Sequence, residues 1–141
     1  MKNQKELWRV ILAVSLTVVG VLHFVSWDQF IRIIPPQLPY PKQLVYISGF
    51  FEILGAIGLL VPPVSRAAAW GLIALFIAVF PANINMTVNN IPIDGIPHNQ
   101  LLYWLRLPFQ AVFIYWAWLY TQPDEGKPRA SIIPYKTEDA K

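Results

Sequence analysis

The sequence contains no cysteine, which excludes thiol relays, thiolate metal sites and covalent haem attachment. The same absence excludes the membrane enzymes that generate disulfides with a quinone. Charge is scarce too: charged residues make up 13% of the 141 residues, whereas hydrophobic residues make up 55%. With a mean hydropathy of +0.44, six Trp and six Tyr, the composition is typical of one compact membrane domain.

Four apolar runs predict four transmembrane helices, at about residues 8–26, 43–61, 67–88 and 101–120. We therefore expect an all-α membrane protein, a four-transmembrane-helix bundle with both termini on the same side. Residues 1–7 are then a basic N-terminal tail, 8–121 the membrane domain and 122–141 a polar C-terminal tail. The first run would also suit a secretory signal, but no small-x-small cleavage site follows it, so we interpret it as a retained span.

The basic residues flank the apolar runs, although a net charge of +3 could also suit a nucleic-acid partner. Eight of them fall on the side of the termini: Lys2, Lys5, Arg9, Arg66, Lys127, Arg129, Lys136 and Lys141. Arg32 and Lys42 fall on the opposite side. The positive-inside rule therefore predicts a multi-pass protein of the cell membrane (inner or plasma membrane), with N and C termini in the cytoplasm.

The segment after the first span, residues 27–41, contains four prolines, at positions 35, 36, 39 and 41. Because proline fixes φ and has no N–H, we expect one or two helical turns at the interface and then an extended stretch. Two interpretations remain open. The segment is either a stiff connector or a cover over the outer mouth of the bundle.

A charge inside the fourth span is the strongest signal of a site. Arg106 lies about five residues into the span, so at about 1.5 Å per residue it is roughly 7 Å inside the hydrocarbon edge and needs a partner or a snorkelling route. Glu52, near the middle of the second span, is the predicted counter-charge. Gln110 shares a helix face with Arg106, and His23 and Asn85 lie at similar depth.

Small residues predict which helix faces pack together. The second span has them on the face of Glu52: Ser48, Gly49, Gly55 and Ala56. The third span has a stripe at near-heptad spacing: Gly71, Ala74, Ala78, Ala82 and Asn85. We expect both stripes to face neighbouring helices. Pro81 should bend the third span just before Asn83 and leave the carbonyl of Ile77 as a free acceptor.

These residue types suit the polar head of a lipophilic ligand, plausibly a quinone, because guanidinium and amide groups donate to carbonyl oxygens. The predicted ligand-binding residues are Arg106, Gln110, Asn85 and Asn83. Glu52 and His23 are the predicted proton-handling catalytic residues. Two alternatives remain open: a lipid or sterol isomerase-like site that protonates an alkene, and a structural Glu52–Arg106 pair in a non-catalytic assembly subunit. No metal site is predicted: a b-type haem between two histidines is not expected, because His98 lies in a turn-rich loop and His23 has no matching partner inside the membrane.

Several short motifs follow one another along the chain: G-x-x-H-F at 20–24, a proline-rich turn, S-G-x-x-E at 48–52, P-A-N-I-N-M at 81–86 and R-L-P-x-Q at 106–110. Over about residues 8–120 this ordered set resembles the DoxX-like membrane proteins. The resemblance implies a four-helix membrane bundle. Some relatives are subunits of thiosulfate:quinone oxidoreductase or partners of oxidative-stress enzymes, which implies a membrane subunit of a quinone-linked redox complex. The expected partners are the lipid bilayer and a redox protein, without nucleic acid; a homo-oligomer is also compatible with the sequence.

Overall fold

The computed structural model describes residues 2–95 and 97–123, and this part of the chain contains helices joined by turns and loops, with no strand. Its helices are α1 Lys2–Val25, α2 Trp27–Ile33, α3 Pro41–Leu60, α4 Ser65–Val88 and α5 Gln100–Leu119. The all-α prediction is confirmed. Helix α1 begins at Lys2, within the predicted N-terminal tail, because a helix can extend beyond the apolar run that it carries. Most of the predicted C-terminal tail, 122–141, lies outside the described residues.

Among the described helices, three are long and apolar enough to cross a membrane: Asn3–Val25, Pro41–Leu60 and Ser65–Val88. Helix α5 has 20 residues, which at about 1.5 Å per residue is also about 30 Å. It is not among the three, and Arg106 and Gln110 lower its hydropathy. A fourth span at α5 therefore stays a prediction.

Each long helix packs against the next long helix in the sequence. Helix α1 packs against α3, α3 against α4, and α4 against α5. In the described part of the chain, the backbones of α1 and α5 do not come close to each other. Side chains join these two helices at one end, where the Tyr120 hydroxyl donates to the Lys5 carbonyl at 3.1 Å and the Arg9 guanidinium lies 5.0 Å from the Tyr120 ring.

The outer surface of the bundle is rich in large apolar side chains. Those more than half exposed include Val14, Phe50, Ile57, Ile77 and Phe109. The buried core between the helices is built mainly from Leu12, Leu16, Leu59, Leu72 and Phe76. An apolar surface of this extent is unfavourable in water, whereas hydrocarbon accommodates it, so the distribution fits a protein that lies in a bilayer.

Two glycines set the distance between α1 and α3. A Cβ atom at Gly49 would lie 2.6 Å from the Cβ of His23 and 2.9 Å from the carbonyl oxygen of Gly20. A Cβ atom at Gly20 would lie 2.6 Å from Ile53 and 3.1 Å from the carbonyl oxygen of Gly49. The two helices therefore approach closely because neither position has a side chain, as small residues allow in membrane bundles.

The stripe of small residues on α4 does not pack as predicted. Gly71, Ala74 and Ala78 are exposed, and a Cβ atom at Gly71 would have no other atom within 4 Å. The buried face of α4 carries Leu72 and Phe76 instead. These larger side chains bury more apolar surface and so determine which face turns inward. The α3 prediction is confirmed in part, because Gly49, Glu52 and Ala56 are buried.

The segment after α1 covers one end of the bundle. Helix α2 occupies Trp27–Ile33 and contacts α1, α3 and α4. Ile34 then adopts an extended conformation, and Tyr40 has a φ of 54°, a left-handed value that closes the turn before Pro41. The segment therefore forms the predicted helical turns, and it lies as a cover on the helices.

Candidate functional site

A cavity of about 1220 Å³ lies among the helices, with lining side chains from α1 to α5. Most of its wall is apolar. The polar lining residues are Ser15, His23, Ser48, Glu52, Asn83, Arg106 and Gln110. The structure therefore brings five of the six predicted site residues to one cavity, and Asn85 is the exception.

His23 and Glu52 lie side by side. The Nδ1 atom of His23 is 3.5 Å from a carboxylate oxygen of Glu52 and 2.8 Å from the carbonyl oxygen of Val19. Because a carbonyl only accepts, His23 Nδ1 carries a proton, and Nε2 is the nitrogen whose protonation can change. The glycine contact between α1 and α3 produces this pairing, since His23 follows Gly20 by three residues and Glu52 follows Gly49 by three.

Glu52 has few stabilising contacts for a buried carboxyl group. Only 7% of the residue is exposed, and within residues 2–95 and 97–123 its polar contact is the 3.5 Å approach to His23. A buried carboxylate without hydrogen-bond donors is costly. The group is therefore suited to accept a proton or to bind a donor from a molecule in the cavity.

Arg106 does not pair with Glu52, contrary to the expectation from the sequence. In the described structure, its guanidinium makes one hydrogen bond, from Nη1 to the sulfur of Met86 at 3.4 Å. A thioether sulfur is a weak acceptor, and a guanidinium has five N–H donors, so most of its bonding capacity is unused by these residues. Arg106 lines the cavity, where a ligand oxygen could accept these hydrogen bonds.

Gln110 connects α5 to α4. Its side-chain oxygen accepts a hydrogen bond from the amide of Asn83, and its Nε2 donates to the carbonyl of Phe76 at 2.5 Å. The bend at Pro81 was expected to free the carbonyl of Ile77, and the side chain instead reaches the carbonyl one residue earlier. Both polar atoms of Gln110 are thus engaged, so Gln110 and Asn83 hold two helices together at the cavity wall.

Asn85 bonds to the segment that covers one end of the bundle. Its amide donates to the carbonyl of Ile33, the last residue of α2, at 2.9 Å, and its side-chain oxygen accepts from Asn89 at 2.6 Å. This position satisfies one of the orphan carbonyls at the end of a helix. The predicted ligand-binding role of Asn85 has no support from this geometry, because its side chain is occupied outside the cavity.

Two further contacts hold α2 in place, and sequence reasoning missed both. Gln29 donates to the carboxylate of Asp94 at 2.7 Å and accepts from the Asp94 N–H at 3.0 Å, which links α2 to the loop between α4 and α5. The ring of Phe30 stacks on His23, with centroids 4.0 Å apart. The sequence shows only that both loops lie at the same end of the bundle, and it does not indicate these partners.

A protein-family model described as a domain of unknown function, DUF8561, matches residues 12–121. The chain belongs to the DUF8561 family. The match includes α2 to α5 and most of α1, so the DUF8561 domain contains the cavity and every predicted site residue. No curated protein and no solved structure matches the chain.

The cavity of this DUF8561 domain combines a large apolar volume with a small polar region. Arg106 provides hydrogen-bond donors, and Glu52 and His23 provide a carboxyl and an imidazole that can exchange protons. Among the described residues, no group of three His, Cys, Asp or Glu could hold a metal ion. The arrangement suits an organic molecule with an apolar body and an oxygen-containing head.

Proposed function

We propose that this DUF8561 protein is a four-span membrane protein that holds a lipophilic ligand with a polar head, a quinone, in the cavity between its helices. Helix α5 is the fourth span, and both termini lie in the cytoplasm. In line with its resemblance to DoxX-like proteins, it acts as a membrane subunit associated with a quinone-linked redox complex.

The unused bonding capacity of Arg106 is the observation that carries this proposal. A cationic group inside a membrane protein is costly unless an acceptor or a counter-charge balances it. The described residues supply only the Met86 sulfur, and the guanidinium lines the cavity. A quinone carbonyl accepts hydrogen bonds from a guanidinium, so a bound head group would satisfy Arg106 at low cost.

The proposed roles of Arg106, Glu52 and His23 are those expected from the sequence. The roles of Gln110, Asn83 and Asn85 differ. Arg106 binds the head of the ligand, and the adjacent carboxyl and imidazole of Glu52 and His23 supply or accept protons when the head is reduced or oxidised. Gln110 and Asn83 position α5 on α4, which fixes the place of Arg106 in the cavity wall. Asn85 supports the cover.

Replacement of Arg106 tests the proposal. We expect mass spectrometry of organic extracts from the gently purified protein to find a quinone enriched in the parent and absent from Arg106→Ala. Arg106→Lys keeps the charge but loses the planar set of N–H donors, so this variant should retain a reduced amount of quinone. Arg66→Ala, at an exposed position outside the cavity, is the matched control and should match the parent.

Equal amounts of bulk lipid in the parent and in Arg106→Ala, with no quinone in either, would contradict the proposal. A loss of folded protein in Arg106→Ala, together with unchanged extracts from Arg106→Lys, would show that Arg106 acts in helix packing. Folded yield is read from size-exclusion chromatography of the same preparations.

The contact between Glu52 and His23 also favours a second candidate function. A carboxyl and an imidazole 3.5 Å apart at an apolar cavity could protonate the alkene of an unsaturated lipid, as in a lipid or sterol isomerase-like enzyme. This activity requires no redox partner. Turnover of an unsaturated lipid by the purified protein, and its loss in Glu52→Gln, would favour the isomerase over the redox subunit.

A further inference from the structure

The cavity extends from its polar region to the outer surface of the bundle, and its exposed lining residues include residues of α3, α4 and α5. Its lining includes three exposed apolar residues of α3 and three exposed small residues of α4. We call these residues the lateral groove: Ile47, Phe51, Leu54, Gly71, Ala74 and Ala78. Each of the three α3 side chains is 51% exposed, so this part of the cavity faces the surroundings of the protein.

We propose that the lateral groove binds the hydrocarbon chain of the ligand, so that the ligand is a long-chain lipid that enters from the bilayer with its head toward Arg106. This inference rests on the proposed function, because it assigns the chain of the same molecule whose head lies at Arg106. The occupant is a molecule with one acceptor head and a linear apolar chain, such as an isoprenoid quinone.

The size of the cavity supports a ligand of this class. Pockets for compact small molecules have volumes of about 300–1,000 Å³. The cavity here is larger, at about 1220 Å³, and its wall is predominantly apolar. A head group alone would leave most of this volume unfilled, whereas a long chain would occupy the apolar part.

The floor of the groove has room for a chain. A Cβ atom at Gly71 would have no other atom within 4 Å. The large residues Trp70 and Ile77 lie on the other side of α4, where they are more than half exposed and do not line the cavity. Gly71 and Asn83 are twelve residues apart, about 18 Å along α4. The path from Gly71 in the groove to Asn83 in the polar region is therefore long, which matches an extended hydrocarbon chain.

The cover makes the bilayer the direct route to the cavity. Phe30, Ile33 and Pro35 line the cavity at the end where α2 lies. Helix α2 is held there by Asn85, by Asp94 and by the stacking of Phe30 on His23. With this end closed by apolar side chains, a lipid reaches Arg106 through the lateral groove.

A series of quinones with one head group and different chains tests the inference. The parent protein in detergent is titrated with a chainless quinone and with its decyl derivative, and binding is read from quenching of tryptophan fluorescence. We expect the decyl compound to bind at least about tenfold more tightly, because each buried methylene adds to affinity. Gly71→Leu fills the groove and should remove most of this difference while leaving the affinity for the chainless quinone unchanged.

Ile77→Phe is the matched control, since it adds bulk to an exposed position of α4 that does not line the cavity. It should bind both quinones like the parent. Equal preference for the decyl compound in Gly71→Leu and in the parent would overturn the groove assignment and leave the head site intact. Weaker binding of both quinones in Gly71→Leu would also overturn it, because the groove would then act on the head. If the parent binds neither quinone, the proposed function itself fails.

Discussion

At the scale of single residues, five of the polar side chains predicted for the site fall into two groups. Gln110, Asn83 and Asn85 have their amides bonded to other parts of the protein. Glu52 and Arg106 are poorly satisfied by the protein and both line the cavity. The depth of these groups in their predicted spans indicates that each of them needs a partner. Which partner each group finds depends on the direction of its side chain, and sequence spacing does not give that direction. This is why Glu52 lies beside His23 rather than beside Arg106.

The partner of Glu52 can be measured with double-mutant cycles. We expect Glu52→Gln and His23→Gln to show a coupling energy of about 0.5–3 kcal/mol, because the two side chains are in contact. The matched cycle pairs Glu52→Gln with Arg106→Gln and should give a smaller coupling energy. The free energies of unfolding are measured by denaturant titration in detergent. A larger coupling with Arg106 would restore the pair expected from the sequence.

At the scale of helices, the contact between α1 and α3 builds the polar site. Gly20 and Gly49 let the backbones approach, and His23 and Glu52 follow them by three residues on each helix. A side chain at either glycine would push the helices apart and separate the polar pair. Stability and site geometry therefore depend on the same two positions.

Alanine substitutions test this dependence. Gly49→Ala should lower the free energy of unfolding by about 1–3 kcal/mol, because the added methyl group meets the backbone of Gly20 and has little room to relax. Gly71→Ala is the matched control on α4; it adds the same methyl group to open space and should be neutral or stabilising by about 0.5–1 kcal/mol. Thermal unfolding in detergent measures both. Equal stability of the two variants would exclude a tight contact at Gly49.

The sequence predicts the helices better than it predicts their faces. Apolar runs locate the long helices, and four prolines locate the cover, because both signals are local along the chain. The orientation of α4 is harder to predict, because two of its faces suit a helix interface: the stripe of small residues and the face that carries large apolar residues. Leu72 and Phe76 turn inward, and the exposed Gly71 and Ala74 form part of the cavity wall instead. A choice between two apolar faces depends on the shape of the neighbouring helices, which is not local information.

At the scale of the whole molecule, the two ends of the bundle differ. The ends of α1 and α5 meet where the Tyr120 hydroxyl bonds to the Lys5 carbonyl. At the opposite end, α2 and the loop containing Asp94 cover the helices. Basic residues are concentrated in the sequence near the first of these ends, which the positive-inside rule assigns to the cytoplasm.

Reporter fusions test this topology and the fourth span together. A C-terminal reporter that is active only in the cytoplasm should be active, and one that is active only outside should be inactive. The matched fusion places each reporter in the loop after Gly95, where the expected result is reversed. An active outside reporter at the C terminus would mean that α5 does not cross the membrane or that the orientation is inverted.

The sequential packing of the long helices also has a consequence for biogenesis. Helix α5 packs against α4 through Gln110 and Thr87, and no other described helix approaches its backbone. Among the described helices, it is also the last to leave the ribosome. In the proposed topology, its charged face joins helices that are already inserted, and Asn83 and the carbonyl of Phe76 offer hydrogen-bond partners to Gln110 before Arg106 has to enter hydrocarbon. In the proposed four-span topology, the polar contacts of α4 therefore act as a template that draws α5 into the bilayer.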